Sequence, residues 1–396
     1  MRQMDGPKEA LPGKRLRIAV LNRVFKSTGG GAERYSIALV EHLAHRHEIH
    51  IYAQEIEHQW PGVTYHRVAY FLRRPRWINQ LWFALATWWL TRKNFDVVHS
   101  HENTWHGQVQ TVHVLPIKFN LFQGLTNWHL ISRYIKVLFS IRLLSYLWLE
   151  GRRYDVRYGR QIVLTSGSLI PVMNQVYMNT ASALNVIPPG VASVPGLASK
   201  AQKLAARDKL EIPKQGLCIL FVANDYRKKG LSSLIQAMPL LPEDVYLVVV
   251  GNTAQIRQFQ DVIYSEKLSQ RIFLLGTLNN ISIAYQAADC LCHPTLEDTF
   301  GMVVLEAMSH GLPVVVSAAR YCGIAQLLVD GENALILEDP KNVMNLVFTL
   351  KRILLDSTYK LQIAHSGYCF AKKHLWTDAA FEQEKIYISV ACNNKY

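Results

Sequence analysis

Cysteine is missing from the first 217 residues, and the six cysteines from Cys218 onward show neither a metal-ligand spacing nor a disulfide framework. That pattern suits a reducing compartment. No Asp-x-Asp triplet occurs anywhere, so paired acids for a metal site have no candidate. The longest apolar, charge-free run of note, Trp77 to Thr91, falls short of the roughly 20 residues that a membrane-spanning helix needs. Flanked by Arg76 and Arg92, it fits a buried or interface-lying helix. The N-terminus, MRQMDGPKEALPGKRLR, carries charges where the apolar core of a secretory signal would stand, so no such signal is expected. Acids are scarce in one half only: residues 1–197 hold 23 Lys/Arg against 11 Asp/Glu, residues 198–396 hold 20 against 19. Eight of the nine Trp fall in the same basic half, which is therefore expected to face an anionic partner.

At 396 residues the chain suits two domains of about 150–200 residues each. With 49% hydrophobic residues and a mean hydropathy of +0.03, it has the material for packed cores, which excludes disorder as the main state. Leu16 to Leu21 reads as a buried strand and Ala32 to His45 as a helix. Further strands are expected at Glu48 to Ala53, Val63 to Ala69, Asp96 to His101, Gln108 to His113 and Gln161 to Thr165. The Pro-, Gly-, Ala- and Ser-rich stretch Val186 to Ser199 reads as a linker. Strand and helix signals then alternate again, with strands at Gly216 to Ala223, Val245 to Val250, Arg271 to Leu275, Asp289 to His293 and Val314 to Ser317. Such alternation means βαβ units and parallel sheets. Two doubly wound sheets are expected to turn the carboxyl ends of their strands toward one interdomain cleft.

The richest segment, residues 289–317, reads DCLCHPTLEDTFGMVVLEAMSHGLPVVVS. It predicts strand, loop, helix, turn and strand, with the helix running from near Gly301 to Gly311 and Pro313 as a stop signal. Asp298 then precedes the helix start and Glu306 lies in its second turn. A helix start offers free N–H groups and a positive dipole end to a phosphate, while the two carboxylates can accept hydrogen bonds from sugar and ribose hydroxyls. That combination describes a nucleotide-sugar site; an ordinary capped helix with two solvated acids fits the same spacing.

The same run resembles the acid-x7-acid motif of family 4 GT-B retaining glycosyltransferases, including Phe300-Gly301, Leu305-Glu306-Ala307-Met308 and Gly311-Leu312-Pro313-Val314. The first acid is usually Glu and is Asp298 here, with Glu297 adjacent; Asp298 keeps the eight-residue offset to Glu306. The resemblance covers nearly the whole chain and is greatest to the branch of lipopolysaccharide core glucosyltransferases. It implies a GT-B fold, two Rossmann-like doubly wound α/β domains facing a central cleft. Residues 1–190 would bind the acceptor, residues 191–375 the donor, and a last helix over about 376–396 would return to the first domain. Glu306 would bind the donor ribose and Asp298 a hydroxyl of the transferred sugar, with the amides of Gly301, Met302 and Val303 facing phosphate and sugar.

Other segments agree with this reading. Gly29-Gly30-Gly31-Ala32-Glu33-Arg34 follows the first strand and opens a helix, where glycine permits close backbone approach. The sixth position is Arg34, which weakens a dinucleotide fingerprint; in the resembling family such a loop, here Gly30 and Gly31, lies against the donor diphosphate and acceptor. Asn224-Asp225-Tyr226-Arg227-Lys228-Lys229-Gly230 follows a second-half strand. Cations there are either a solvated run or a clamp for a diphosphate leaving group. Lys229-Gly230 matches the family's Lys-Gly, Asn224 stands where the family's Arg is usual, and Arg227 and Lys228 are helpers. His113, ending the strand QVQTVH, matches a histidine beside the reacting sugar; His99 and His101 are weaker candidates that also suit sheet packing. Leu275-Gly276 matches a position where backbone reads the base.

The implied reaction is hexose transfer, without metal or cofactor, from a nucleotide diphosphate sugar (a UDP-sugar) to a glycolipid or polysaccharide acceptor such as lipopolysaccharide core. The catalytic set is His113, Asp298 and Lys229. The aromatic, basic runs Tyr70 to Lys93 and Pro116 to Arg153 suit the interface of an anionic membrane, which implies a cytoplasmic enzyme held peripherally at the inner face of the cytoplasmic membrane. Core helices with a basic exposed face fit those runs equally. As one straight helix the second run would place Arg133 and Arg142 on opposite sides. An epimerase on the same fold and a non-catalytic nucleotide-sugar binder remain alternatives, and nucleic acid is not expected as a partner because no recognition module is visible.

Overall fold

The computed structural model describes residues 15–27, 29–156 and 159–393; the N-terminal charge pattern and the last three residues of the expected terminal helix lie outside them. The chain divides into two compact units, one formed by residues up to Pro189 together with Trp376 onward, the other by Gly190–Leu375.

The strands of the first unit are β1 (Arg17–Leu21), β2 (Val24–Phe25), β3 (Glu48–Ala53), β4 (Glu55–Ile56), β5 (Val63–Arg67), β6 (Val97–Ser100), β7 (Val109–Val112), β8 (Gln161–Leu164) and β9 (Leu184–Val186). Seven of them form a parallel sheet in the order β5-β3-β1-β6-β7-β8-β9, and the two-residue β2 and β4 pair apart. In the second unit β10 (Leu217–Ala223), β11 (Val245–Gly251), β12 (Ile272–Gly276), β13 (Cys290–His293), β14 (Val314–Ser317) and β15 (Leu335–Leu337) form a parallel sheet in the order β12-β11-β10-β13-β14-β15. In both units the order reverses beside the first strand, the doubly wound Rossmann-like arrangement that places ligand sites at the carboxyl ends of the strands. The fold is GT-B.

A parallel sheet is covered on both faces, so its strands are apolar throughout and each face takes alternate residues. In the second unit Ile219, Phe221, Leu247, Val249 and Val315 enter one core. Leu220, Val248, Val250, Val314 and Val316 enter the other. Cys290 and Cys292, two apart on β13, enter the first, and all six cysteines are free thiols.

The sequence from 116 to 153 is not one helix. It folds as three, Ile117–Phe122, Asn127–Leu138 and Ile141–Arg153. Arg133 and Arg142 therefore lie on separate helices, which removes the objection that a single helix would split them. The run Trp77 to Thr91 sits in the helix Arg76–Thr91, which buries Phe83, Ala84 and Thr87 but leaves Trp88 and Trp89 exposed. Among the described residues no helix is long and apolar enough to cross a membrane.

The terminal helix Trp376–Asn393 packs on the helix Gly31–Leu43. Its Glu384 carboxylate is buried and meets His47 Nε2 at 2.9 Å and an Arg46 guanidinium nitrogen at 2.8 Å. Burial holds His47 below its ordinary pKa against the pull of Glu384. The neutral ring accepts from the Leu16 N–H at Nδ1 and donates from Nε2 to Glu384. Removing one member of a buried pair strands the other. Glu384→Ala should therefore cost about 3 kcal/mol of stability, and Glu384→Gln, which keeps an acceptor, markedly less. Urea unfolding curves that coincide with wild type for Glu384→Ala would refute this role.

Candidate functional site

In the second unit, β10 runs into Asn224 and then the loop carrying Arg227, Lys228 and Lys229, and β13 runs into the loop carrying Glu297 and Asp298. The two strands are paired neighbours, so their following loops meet. Gly230 closes the first loop at φ 83°, and a Cβ there would lie 1.9 Å from the Pro294 carbonyl oxygen. Only glycine permits that approach. Leu296 N–H donates to the Lys228 carbonyl at 2.8 Å, Lys229 Nζ donates to the Glu297 carbonyl at 2.8 Å, and Lys228 Nζ donates to the Glu297 carboxylate at 3.1 Å.

The Lys229 ammonium lies 2.7 Å from Asp298 Oδ2, and the buried His293 donates from Nε2 to the same oxygen at 3.0 Å. Oδ1 accepts the Phe300 N–H at 3.2 Å. Burial alone would raise the Asp298 pKa, but the His293 hydrogen bond and the Lys229 charge outweigh it and hold the carboxyl well below the usual carboxylate range. Burial keeps His293 below its own ordinary value, and its buried Nδ1 makes no hydrogen bond.

Gly301 follows at φ 96° and starts the helix Met302–Ser309, whose first turn has no side-chain cap. A Cβ at 301 would meet Cys322 Sγ at 2.7 Å. Met302 and Val303 are half-buried in that turn, and Glu306 follows one turn later, where its Oε2 accepts the Tyr285 hydroxyl at 2.7 Å. Leu275 and Gly276 end β12, with Gly276 at φ 72°. Every residue that the sequence singles out in this half thus sits at a strand's carboxyl end or on the helix that follows β13. The structure joins Lys229 to Asp298 and leaves Asn224 and Arg227 exposed.

His293, Asp298 and Cys322 each offer one ligand atom within 4.8 Å of the others. The set does not suit a cation. The Lys229 ammonium already occupies Asp298 Oδ2, the Cys322 thiol donates to the Phe300 carbonyl at 3.3 Å, and burial pushes that thiol's pKa well up.

In the first unit Gly30 precedes the helix Gly31–Leu43, which has no side-chain cap, and His113 follows β7. Tyr35 of that helix packs edge-on against the His113 ring at 5.2 Å. Burial, reinforced by Arg153, pushes the His113 pKa down to about 3, so the ring is neutral. His101 Nδ1 lies 2.8 Å from His113 Nε2, and His99 is held by Thr111 and Tyr387. Sequence reasoning passed over His293 and Tyr285, because a histidine ending an apolar strand and a tyrosine in a short helix carry no spacing signal.

Because the folded pKa of Asp298 is depressed, the native state binds fewer protons there than the unfolded chain. Its stabilisation is present above an ordinary carboxylate pKa of about 4 and is lost as pH falls from there toward the lower folded value. Asp298→Asn should be less stable than wild type at pH 7, with the gap narrowing between about pH 5 and pH 3. Thermal melts across that range decide it, and a pH-independent gap contradicts the ionised assignment.

Residues 29–193 match the model of Glycosyltransferase Family 4, and residues 202–368 that of Glycosyl transferases group 1, so the two matches between them span most of the chain. The chain is 27% identical over 244 residues to a D-inositol 3-phosphate glycosyltransferase of Xylanimonas cellulosilytica, covering 57% of this chain and 58% of that protein. It is 26% identical over 243 residues to the lipopolysaccharide glucosyltransferase WaaG of Escherichia coli, covering 58% and 62%. The matched region thus spans about three fifths of the length of these curated relatives. Among solved structures, WaaG, a glycosyltransferase involved in lipopolysaccharide biosynthesis, superposes with a TM-score of 0.80 at 21% identity, covering 92% of this chain and 98% of that one. Anabaena HepE in complex with UDP-glucose does so at 0.71 and 16%, covering 95% and 100%. With its doubly wound sheets and the acid-x7-acid segment running from the loop after β13 into the helix Met302–Ser309, the chain belongs to the group 1/family 4 glycosyltransferases.

Proposed function

We propose that the chain is a retaining, metal-independent hexosyltransferase that moves a sugar from a nucleotide diphosphate donor, a UDP-sugar, to a glycolipid or polysaccharide acceptor such as lipopolysaccharide core. The observation that carries this is the Lys229–Asp298 pair at 2.7 Å beside an uncapped helix start, with Glu306 one turn further on. Lys229, aided by Lys228, and the amides of Gly301, Met302 and Val303 neutralise the departing diphosphate, an electrostatic task that needs no metal. Asp298 holds a hydroxyl of the transferred sugar, Glu306 the ribose, and Leu275-Gly276 the base edge, with Asn224 and Phe300 lining the same loops. Gly30 and Gly31 approach the diphosphate and acceptor, and neutral His113 stands beside the sugar. HepE, solved with UDP-glucose, and WaaG, a lipopolysaccharide glucosyltransferase, support the choice of donor and acceptor class.

The test is turnover of a panel of nucleotide sugars, with and without a lipid-linked saccharide and with excess EDTA, followed by NMR. The donor should be consumed with acceptor, EDTA should have no effect, and the product anomer should match the donor's. Glu306→Ala should weaken donor binding by about 1.5–3 kcal/mol, the range for a hydrogen bond to a charged group. An inverted anomer refutes the retaining reading, and an epimerised sugar nucleotide formed without acceptor favours the epimerase.

We also propose that the first unit rests peripherally on an anionic membrane. The helix Asn127–Leu138 buries only Val137 and exposes Trp128, Ile131, Ile135 and Leu138 along one stripe. No acid lies between Glu102 and Glu150, whereas Lys118, Arg133, Lys136 and Arg142 do. Glu150 itself is buried, accepting the Ile117 and Lys118 N–H groups and the Tyr177 hydroxyl. The helix surface therefore offers cations and large apolar side chains, and each cation near an anionic leaflet contributes about 1 kcal/mol. Sedimentation should show binding to phosphatidylglycerol vesicles at low salt, loss at 1 M salt, and none to phosphatidylcholine. Equal binding to both lipids, or to neither, refutes it.

A further inference from the structure

A cavity of about 310 Å³ opens in the first unit, lined by Trp105, Trp148, Arg152, Asp155 and Arg160. It lies at the opposite edge of the sheet from His113. Arg160 directly precedes β8, and its Nε donates at 2.9 Å to the carbonyl of Gly107, two residues ahead of β7, whereas His113 follows β7. The four residues of β7 alone separate those edges by about 13 Å. The cavity therefore stands apart from the carboxyl strand ends, where doubly wound sheets bind their substrates.

Its walls carry positive charge and hydrogen-bond donors. Arg160 also donates from Nη2 to the Trp105 carbonyl at 3.0 Å and from Nη1 to the carbonyls of Arg152 and Arg153. The last two end the helix Ile141–Arg153, and Arg160 covers carbonyls that would otherwise repel an anion. The acid in the lining, Asp155, has a partner within the protein and supports the Arg160 cation. Two guanidinium groups against one carboxylate leave the lining net positive. Arg152 is exposed, and among the described residues neither its guanidinium nor the indole N–H of Trp105 or Trp148 has a hydrogen-bond partner. The two indole rings, 5.8 Å apart and tilted by 55°, form an angled wall. Ligand pockets run from about 300 to 1,000 Å³, so this one has room for one small anionic group and not for an oligosaccharide.

The helix that supplies Trp148 and Arg152 identifies the source of that group. Ile141, Leu144, Trp148 and Arg152 recur at intervals of three and four and so share one face. Ile141 is 70% exposed and Leu144 41%. An apolar stripe thus runs up to the cavity and ends on a tryptophan and then a guanidinium. That is the order of an amphiphile seen from chain to headgroup. A free phosphate or a soluble glycan would leave the stripe uncovered.

We propose that the cavity takes the phosphate headgroup of an anionic phospholipid, with Arg152 and the two indole N–H groups on its oxygens and the acyl chains along Leu144 and Ile141. This rests on the reading of the first unit as peripheral on an anionic membrane and adds a discrete headgroup site to it. Diffuse attraction treats exposed cations alike, whereas a built site sets Arg152 above Arg142 of the same helix.

The test titrates the nitrogen-15-labelled full chain with dihexanoyl phosphatidylglycerol, kept below its micelle concentration, and follows the indole N–H signals. Those of Trp105 and Trp148 should shift saturably. Arg152→Ala should weaken the binding about tenfold or more, the loss expected for a hydrogen bond to a charged group, and Arg152→Lys should restore part of it. Arg142 stands ten residues and about 15 Å away along the helix, beyond the screening length, so Arg142→Ala should change the binding less than about twofold. Inorganic phosphate lacks the chains and should bind at least about tenfold more weakly. Dihexanoyl phosphatidylcholine, whose trimethylammonium would face two guanidinium groups, should do likewise. No indole shift with phosphatidylglycerol, or wild-type binding in Arg152→Ala, overturns the site. An equal response to inorganic phosphate or to phosphatidylcholine overturns its assignment to an anionic lipid. Sedimentation with vesicles judges the membrane reading separately. Vesicle binding that Arg152→Ala and Arg142→Ala weaken equally leaves that reading standing and refutes the cavity. Saturable indole shifts without vesicle binding support the cavity and refute the membrane reading.

Discussion

An ionised carboxylate behind a nearly closed surface needs a cation and hydrogen-bond donors beside it, and the second unit's site is organised by meeting that need at Asp298. Lys229 and His293 reach it from two neighbouring strand ends, Lys229 from beyond β10 and His293 from the last position of β13. The pairing of Ile219 with Cys290 and Leu220 with Leu291 sets the register that brings those ends level. Gly230 and Gly301 then allow the loops to close, since a Cβ at either position would strike Pro294 or Cys322. The ion pair, the strand register and the two left-handed glycines are one constraint expressed at three levels. On the proposed reading, a diphosphate beside Lys229 would meet a cation already oriented by its partners, which is what preorganised stabilisation requires.

The first unit meets the same burden with neutral groups. His99 and His101 are buried and His113 half-buried; His99 is bonded to Thr111 and Tyr387, and His101 to His113. The nearby Arg153 is satisfied by Gln110 and the Thr111 carbonyl.

Much of the fold was legible because parallel strands buried on both faces leave continuous apolar runs, as in Val245–Gly251, and because Gly311 and Pro313 punctuate the helix after β13. The two-residue β2 and β4 and the three-residue β9 and β15 were not, since strands so short carry no period. The division of residues 116–153 into three helices was hidden for a different reason. Apolar spacing continues through Phe139 and Ser140, and Ser140 acts as a cap, accepting the Leu143 N–H, where the sequence reads as uninterrupted helix. In the candidate site, Asp298, Lys229 and Glu306 stood out because acids and cations next to a helix start are chemically conspicuous. His293 and Tyr285 escaped because a buried polar group looks like core until its partner is known.

The charge imbalance of the first half also reads differently once partners are known. Counting residues treats every acid as cancelling a cation, but Glu150 is spent inside the unit on backbone N–H groups and the Tyr177 hydroxyl. Glu384, brought in by the terminal helix, is spent on His47 and Arg46. A carboxylate enclosed among its own partners offers little field to a ligand outside, whereas Lys136 and Arg142 remain exposed. The exposed segment between Glu102 and Glu150 is therefore more uniformly positive than composition alone conveys. The helix that carries Glu384 also carries Tyr387, three residues on and on the same face, so it both withdraws an acid and fixes His99. Through that one buried face, the element that completes the first unit's fold also braces the histidines beside which the sugar is proposed to lie.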